Sequence, residues 1–334
     1  MKIVIATGIY PPDIGGPAQF AKGTEGVWWR EGHEVSAHHF RALRWLPTGV
    51  RHLVFFARLI PSVFRANFIF IPDTFSAAVP AVFAGKLFRV PTIIRTGGDF
   101  LWEWYVERTG DLVLLRDFYQ TRMGKLNSKE KLVFRLAGWA FRNASAVVFS
   151  TAWQRDLFLA PYRLAPARCY IVENYYGERL GALPPARKVF LMGARLLKWK
   201  NAERVKKAFE KVRAAGVEVG YDDEIITPDN FLEKIRRSYA VIIATLGDVS
   251  PNTILDAIRC EKPFILTRET GFRERLKDIA LFVDPESLDD IAEKIIWLSD
   301  EKNYAAQQAK IRAFLFRHSW EEICREIVAI KKNL

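Results

Sequence analysis

Short apolar runs alternate with amphipathic segments twice along this chain, and the alternation is broken once by a stretch with the make-up of a linker. In the first series the strand-like runs are KIVIAT (2–7), EVSAHHF (34–40), NFIFIP (67–72), PTIIRT (91–96), SAVVFS (145–150) and CYIVEN (169–174). Helix-like segments lie between them at about 17–31, 47–65, 75–88 and 129–142, with an aromatic and charged stretch at 99–123. The segment GERLGALPPARK (177–188) follows, with the glycines, prolines and charges of a connector. Then the pattern restarts with KVFLMG (188–193), VEVGY (217–221), AVIIAT (240–245), PFILT (263–267) and ALFVD (280–284). Helices are predicted at about 201–215, 229–238, 251–260, 287–299 and 301–315, and a last one after Ser319. Strands separated by helices must run parallel and be covered on both faces. The pattern therefore predicts an α/β fold of two units, 1–178 and 187–318. In open sheets of this kind ligands bind beyond the carboxyl ends of the strands, so functional residues belong just after strands and at helix N-termini.

Charge and composition narrow the partners. The 334 residues carry a formal net charge of +12. Residues 1–180 hold 23 Lys and Arg against 14 Asp and Glu, so the first unit is the basic one and needs an anionic ligand or surface. The three cysteines, Cys169, Cys260 and Cys324, are far apart and lack metal-ligand spacing, as expected in a reducing compartment. The opening MKIVIATGIYPP reads as a first strand rather than a signal peptide, and no run approaches the ~18–20 apolar residues of a membrane span. A cytoplasmic protein is expected. The five histidines form no ligand set, no Asp-x-Asp occurs, and Asp222-Asp223-Glu224 reads as a solvated turn, so no metal site is expected. Aromatic residues fall in core-like runs rather than on a stacking platform, which argues against a nucleic-acid partner.

GDVSPNTILDAIRCEKPFIL (247–266) carries the most chemistry. Ser250 suits an N-cap and Pro251 the first helical position. Asn252 and Asp256 share a helix face, and Asp248 sits in the loop before it. A helix N-terminus that can hold an anion, next to two carboxylates that can accept from hydroxyls, is the profile of a site for phosphate plus polyol. The segment resembles the donor-binding region of family 4 glycosyltransferases, which have the GT-B fold. The family's two acids, with seven residues between them, correspond to Asp248 and Asp256, with Asp in place of the usual Glu at both. Gly271 and Glu274 in TRETGFRE match its glycine-rich turn and following Glu.

Other segments extend the resemblance over nearly the whole chain. In FLMGARLLKWKN (190–201), Arg195 and Lys200 match the family's Arg and its Lys followed by Gly or Asn, with Ala194 inserted after Gly193 and Lys198 as a competing cation. Such cations stabilise charge on a leaving diphosphate. ATGIYPPDIGGPAQF (6–20) resembles the loop placed between donor diphosphate and acceptor, where Gly15 and Gly16 allow close backbone approach. RTGGDFLWEWYVERTGD (95–111) has Gly97 and Gly98 where many members have a His. Its Asp99, Trp102 and Glu103 are the acceptor candidates, and Asp99 the candidate nearest the reaction; core packing explains Trp102 and Trp104 equally well. Asn174 matches the Asn near the domain hinge, and HSWEEICREI (318–327) resembles the closing helix, so 320–334 is expected to cross back to the first unit. A βα unit is missing near 216–229, which shortens the second.

The resemblance implies a retaining, metal-independent transferase with two Rossmann-like domains facing across a cleft. It implies no cofactor beyond a nucleotide-diphosphate sugar as substrate, and a glycan or lipid-linked acceptor. Arg195 and Lys200 would hold phosphate, Asp256 the ribose and Asp248 the sugar, with the backbone of Val249, Ser250, Pro251, Asn252 and Thr253 assisting. Rival readings are a non-catalytic glycan- or lipid-binding relative and a sugar-nucleotide epimerase on the same fold. The segment 40–65 places Arg51, Arg58 and Arg65 at a heptad interval beside Trp45, Phe55 and Phe56, a pattern that fits equally a helix lying in an anionic lipid interface and a core helix with snorkelling arginines. Peripheral attachment to the inner face of the membrane is the corresponding expectation.

Overall fold

The computed structural model describes residues 1–13, 15–193, 197–224 and 228–334. The chain divides into two compact units, residues 1–101, 125–175 and 318–334, and residues 102–124 and 176–317.

In the first unit, six parallel strands alternate with helices. The strands are β1 (Lys2–Thr7), β2 (Glu34–His39), β3 (Phe68–Ile71), β4 (Thr92–Thr96), β5 (Ala146–Phe149) and β6 (Cys169–Ile171). They lie in the order β2-β1-β3-β4-β5-β6. Strands β1, β3, β4 and β5 are buried along almost their whole length, which is why they read as continuous apolar runs. The helices along this part of the chain are α1 (Gly16–Arg30), α2 (Thr48–Val63), α3 (Ala78–Phe88), α4 (Phe100–Thr109), α5 (Leu115–Thr121), α6 (Ser128–Asn143) and α7 (Ala152–Tyr162), of which α5 and α4 from Trp102 onward belong to the second unit. Helix α2 runs through Pro61 to Val63.

The second unit holds five parallel strands, β7 (Val189–Met192), β8 (Gly220–Asp222), β9 (Ala240–Ile243), β10 (Phe264–Thr267) and β11 (Leu281–Val283), in the order β11-β10-β9-β7-β8. Its helices are α8 (Ala202–Ala214), α9 (Pro228–Arg237), α10 (Asn252–Arg259), α11 (Leu288–Ser299) and α12 (Glu301–Ala313). One face of the sheet packs Phe190, Phe209 and Ile295, the other Leu255, Phe264 and Leu276.

The final helix, α13 (Trp320–Lys332), belongs to the first unit. It starts with a capping box in which Ser319 and Glu322 satisfy each other's backbone N–H, worth about 1 kcal/mol. Trp320 stacks on Tyr175 at 4.9 Å and lies edge-on to Phe20 at 5.3 Å. Gly23 makes room for it, since a Cβ there would stand 2.5 Å from the indole. The division of the chain differs from the expected 1–178 and 187–318 in two respects: the second unit takes in the expected linker from Tyr176 onward, and it also takes in a stretch of the first. Trp102–Gly124 packs with the second unit, and the partition falls inside α4.

Candidate functional site

In the second unit, the predicted donor segments meet at the carboxyl end of the sheet. After β7 the chain makes a tight turn over Lys198–Lys200 and reaches Asn201, which is left-handed at φ 62°. This conformation favours Gly or Asn, the two residues that the motif allows after its lysine. The buried Asn201 amide donates to Ala244 O at 2.9 Å and Pro285 O at 2.8 Å, tying together the segments that follow β9 and β11. Lys200, fixed by that turn, places Nζ 2.8 Å from Asp248 Oδ2 and 4.1 Å from the centre of the Trp199 ring. Both side chains of the pair are mostly buried, at 18% and 12% exposure. The two residues expected to serve phosphate and sugar separately are thus one ion pair. Asp248 is itself held by its N–H to Glu269 O at 2.8 Å.

Helix α10 begins at Asn252 with Pro251 as its cap, so Ser250 is not the N-cap and Pro251 is not the first helical residue. Pro251 has no N–H, which leaves Val249, Ser250, Asn252 and Thr253 as the backbone donors of that loop. Asp256 lies one turn in, 2.8 Å from Arg259 Nη1. Burial raises its carboxyl pKa, against the lowering effect of Arg259. Glu274 is exposed, and Arg195 lies outside the described residues. Lys198 donates to Glu107 O at 2.8 Å, so Lys200 rather than Lys198 faces the acid.

The stretch 102–124 walls this region and gave no such signal in the sequence. Gly247, beside Asp248, has Leu115 and Trp102 pressed against it, and a Cβ would stand 2.5 Å from Leu115 Cβ. Leu115 N–H donates to Leu246 O at 3.1 Å. Arg116 Nη1 lies 2.8 Å from the buried Glu269, whose pKa is raised by burial. Trp102, expected to meet an acceptor, is 1% exposed, and its indole donates to Val113 O at 3.0 Å. Its ring packs 5.4 Å from Trp199. That correction has a simple cause: an indole that fills a core has no face left for a sugar. Glu103 is half-buried in the same unit.

In the first unit, Gly15 caps α1 without a side-chain bond, at φ 157°, and Gly16 opens the helix. A side chain at 15 would meet Ile9 at 2.8 Å. The sequence reading missed Asp73, just after β3. One of its oxygens accepts from the N–H groups of Phe75 and Ala77, at 2.9 and 2.8 Å, while the other lies against Gly8 after β1. It thus holds the point where the strand order reverses, between β1 and β3. Burial raises its pKa, opposed by those N–H bonds. An acid following a strand and preceding a helix was the available clue. Asp99 is buried, at 3% exposure, at the end of a turn fixed by Gln154, which donates to Thr96 Oγ1 and Gly98 O at 3.0 Å. Among the described residues no three His, Cys, Asp or Glu side chains are grouped to hold a metal ion.

No family model matches the chain, and no curated protein matches it. Solved structures do. HepE of Anabaena in complex with UDP has a TM-score of 0.70 at 14% identity, with 100% of each chain covered. The sucrose-phosphate synthase of Thermosynechococcus elongatus gives 0.68 at 10% identity, covering 100% of this chain and 99% of that one. WaaG, a glycosyltransferase involved in lipopolysaccharide biosynthesis, gives 0.68 at 12% identity, over 98% and 99%. These likenesses are of fold: two Rossmann-like α/β units of the GT-B type.

Proposed function

We propose that this chain is a glycosyltransferase that takes a sugar from a nucleotide-diphosphate donor, bound in the second unit, to a glycan or lipid-linked acceptor. The observation that carries the reading is the Lys200–Asp248 pair beside the N-terminus of α10, at the carboxyl end of a parallel sheet. A mostly buried ammonium and a helix N-terminus attract an anion, and the carboxylates of Asp248 and Asp256 accept from hydroxyls. A diphosphate with a sugar at each end satisfies both requirements. That HepE, of the same fold, was crystallised with UDP supports a uridine nucleotide as the first donor to test.

In this reading Lys200, with Arg195, stabilises the charge that develops on the leaving diphosphate. Asp256 receives the ribose and Asp248 the transferred sugar. Transfer proceeds with retention and without a metal ion, because protein cations supply the positive charge.

The basic first unit suits an acceptor at an anionic membrane. Leu53 and Phe64 at α2, Phe83 and Leu87 on α3, and Trp45 are all more than half exposed, with Arg58 and Arg65 exposed among them. Phe55, expected on that face, instead packs on Phe40 in the core. Among the described residues no helix is long and apolar enough to cross a membrane, so the attachment would be peripheral.

The test is thermal shift with UDP and UDP-glucose, followed by a transfer assay with excess EDTA. A native-state ligand raises stability by mass action. Absence of any shift with nucleotides would sink the reading, binding without transfer or donor hydrolysis would favour a non-catalytic relative, and activity lost to EDTA and restored by a divalent ion would overturn the metal-independent mechanism.

A further inference from the structure

Arg95, on β4 next to its carboxyl end, is 5% exposed, and no carboxylate partners it among the described residues. Its Nη2 donates to Asn174 Oδ1. Its Nε is sealed from solvent without an acceptor. The guanidinium lies flat on Phe20, 3.6 Å from the ring centre, one turn into α1. Nη1 faces Gly97, and a Cβ there would stand 3.1 Å from it.

Packing does not require a charge at this position. Ile93, two residues back on the same face of the strand, is apolar, and an unbranched methionine could take the place of the arginine's aliphatic stem. Burying a cation without a counter-charge is costly, and the interaction with Phe20 offsets only part of that cost. Burial alone brings the Arg95 pKa down to about 9. A group held under such strain at the carboxyl end of a parallel sheet, with one N–H edge left open beside a glycine, is built to receive an anion.

We propose that Arg95 binds an oxyanion, phosphate or carboxylate, carried by the acceptor. The assignment to the acceptor rests on the reading above, in which the donor diphosphate belongs to Lys200 and α10 in the other unit. The oxyanion meets Nη1 at Gly97 and supplies the counter-charge that the fold withholds. Asn174 is a positioning residue, which fixes the guanidinium by its opposite edge.

The experiment titrates inorganic phosphate, and in parallel malonate, into UDP-saturated protein and follows the melting temperature. It compares wild type with Arg95→Met and Gly97→Ala. Gly97 is not among the positive-φ glycines, so alanine there blocks the open edge without backbone strain and keeps the guanidinium. Wild type should gain stability from at least one anion, and the stronger of the two identifies the phosphate or carboxylate source. Both variants should bind that anion about tenfold to a hundredfold more weakly. Their affinity for UDP should stay as in wild type. Equal anion binding in all three proteins, or none in wild type, overturns the proposal. So does a loss of UDP affinity in Arg95→Met, which would give Arg95 to the donor. If Arg95→Met does not fold, Gly97→Ala alone decides. A wild type that ignores UDP but responds to phosphate through Arg95 would instead remove the donor reading and leave the anion site standing.

Discussion

Lys200 Nζ lies 2.8 Å from Asp248 Oδ2, across 48 residues of sequence, so the two charges act on a ligand as a pair. Removing one member changes what the other can do. Lys200→Ala should weaken UDP binding by about 1.5–3 kcal/mol, the cost of a charged partner lost to a diphosphate. Asp248→Ala should leave UDP affinity equal or higher, because the freed ammonium is then available to phosphate, while the extra affinity contributed by the donor's sugar disappears. Calorimetry with UDP and UDP-glucose on both variants and on the double variant resolves the coupling. Additive effects would show that the pair is incidental to donor binding.

Asp256 is the proposed ribose acceptor, and Arg259 holds one of its oxygens at 2.8 Å. Asp256→Ala should cost UDP about 1 kcal/mol or more and leave the affinity for a nucleotide without ribose hydroxyls unchanged. Equal losses for both ligands would mean that the substitution acts through α10 rather than through a contact.

Gly247 is needed because Leu115 and Trp102 occupy the space of its side chain. Gly247→Ala should destabilise the second unit by about 1–3 kcal/mol through overpacking, and hydrogen exchange should quicken in 102–124 as well as in 246–250. Unchanged protection in 102–124 would refute the view that this stretch is clamped onto the donor loops.

Lys262 is buried and donates to Leu183 O at 2.7 Å, and burial brings its pKa down to about 8 from the usual 10.5. The unfolded chain therefore binds more protons between those two values, so wild-type stability should rise as pH increases from about 8 to 10.5. Below about 8 both states are protonated and the cost of the buried charge is at its full size. Lys262→Met removes that dependence. Its stability relative to wild type should fall with pH across this window, by up to about 3 kcal/mol. Urea midpoints at pH 7.5 and 10 test the sign; a gap that stays constant would show that the buried ammonium does not titrate there.

Vesicle co-sedimentation tests the exposed face of α2 and α3. Binding should require anionic lipid, weaken with salt, and drop when Leu53 and Phe83 are replaced by Asp. Arg58→Glu should cost about 1 kcal/mol or more, since each basic residue near such a surface contributes about that much. Binding to neutral vesicles of equal strength would count against the electrostatic part of the proposal.

What the sequence determined by itself is local. Periodicity decides strand against helix, so β1, β4, β9 and α1 fall within a residue or two of their expected places. Turn chemistry is local too, as at Asn201, where a left-handed residue must follow Lys200. Motif spacing brought Asp248, Asp256 and Lys200 forward because each sits at a strand end or a helix start.

Only the tertiary structure decided which side chains meet. Trp102 looks like a sugar platform in sequence, since an aromatic beside acids carries the same pattern whether it faces solvent or a core; the fold of 102–124 onto Gly247 put it in the core. Arg95 reads as an ordinary charge at a strand end, and its burial without a counter-charge depends on Phe20 and Asn174, distant residues brought together by α1 and by the segment after β6. The pairing of Lys200 with Asp248 is of the same kind. Such contacts depend on loop closure over tens of residues, which no local window of sequence contains.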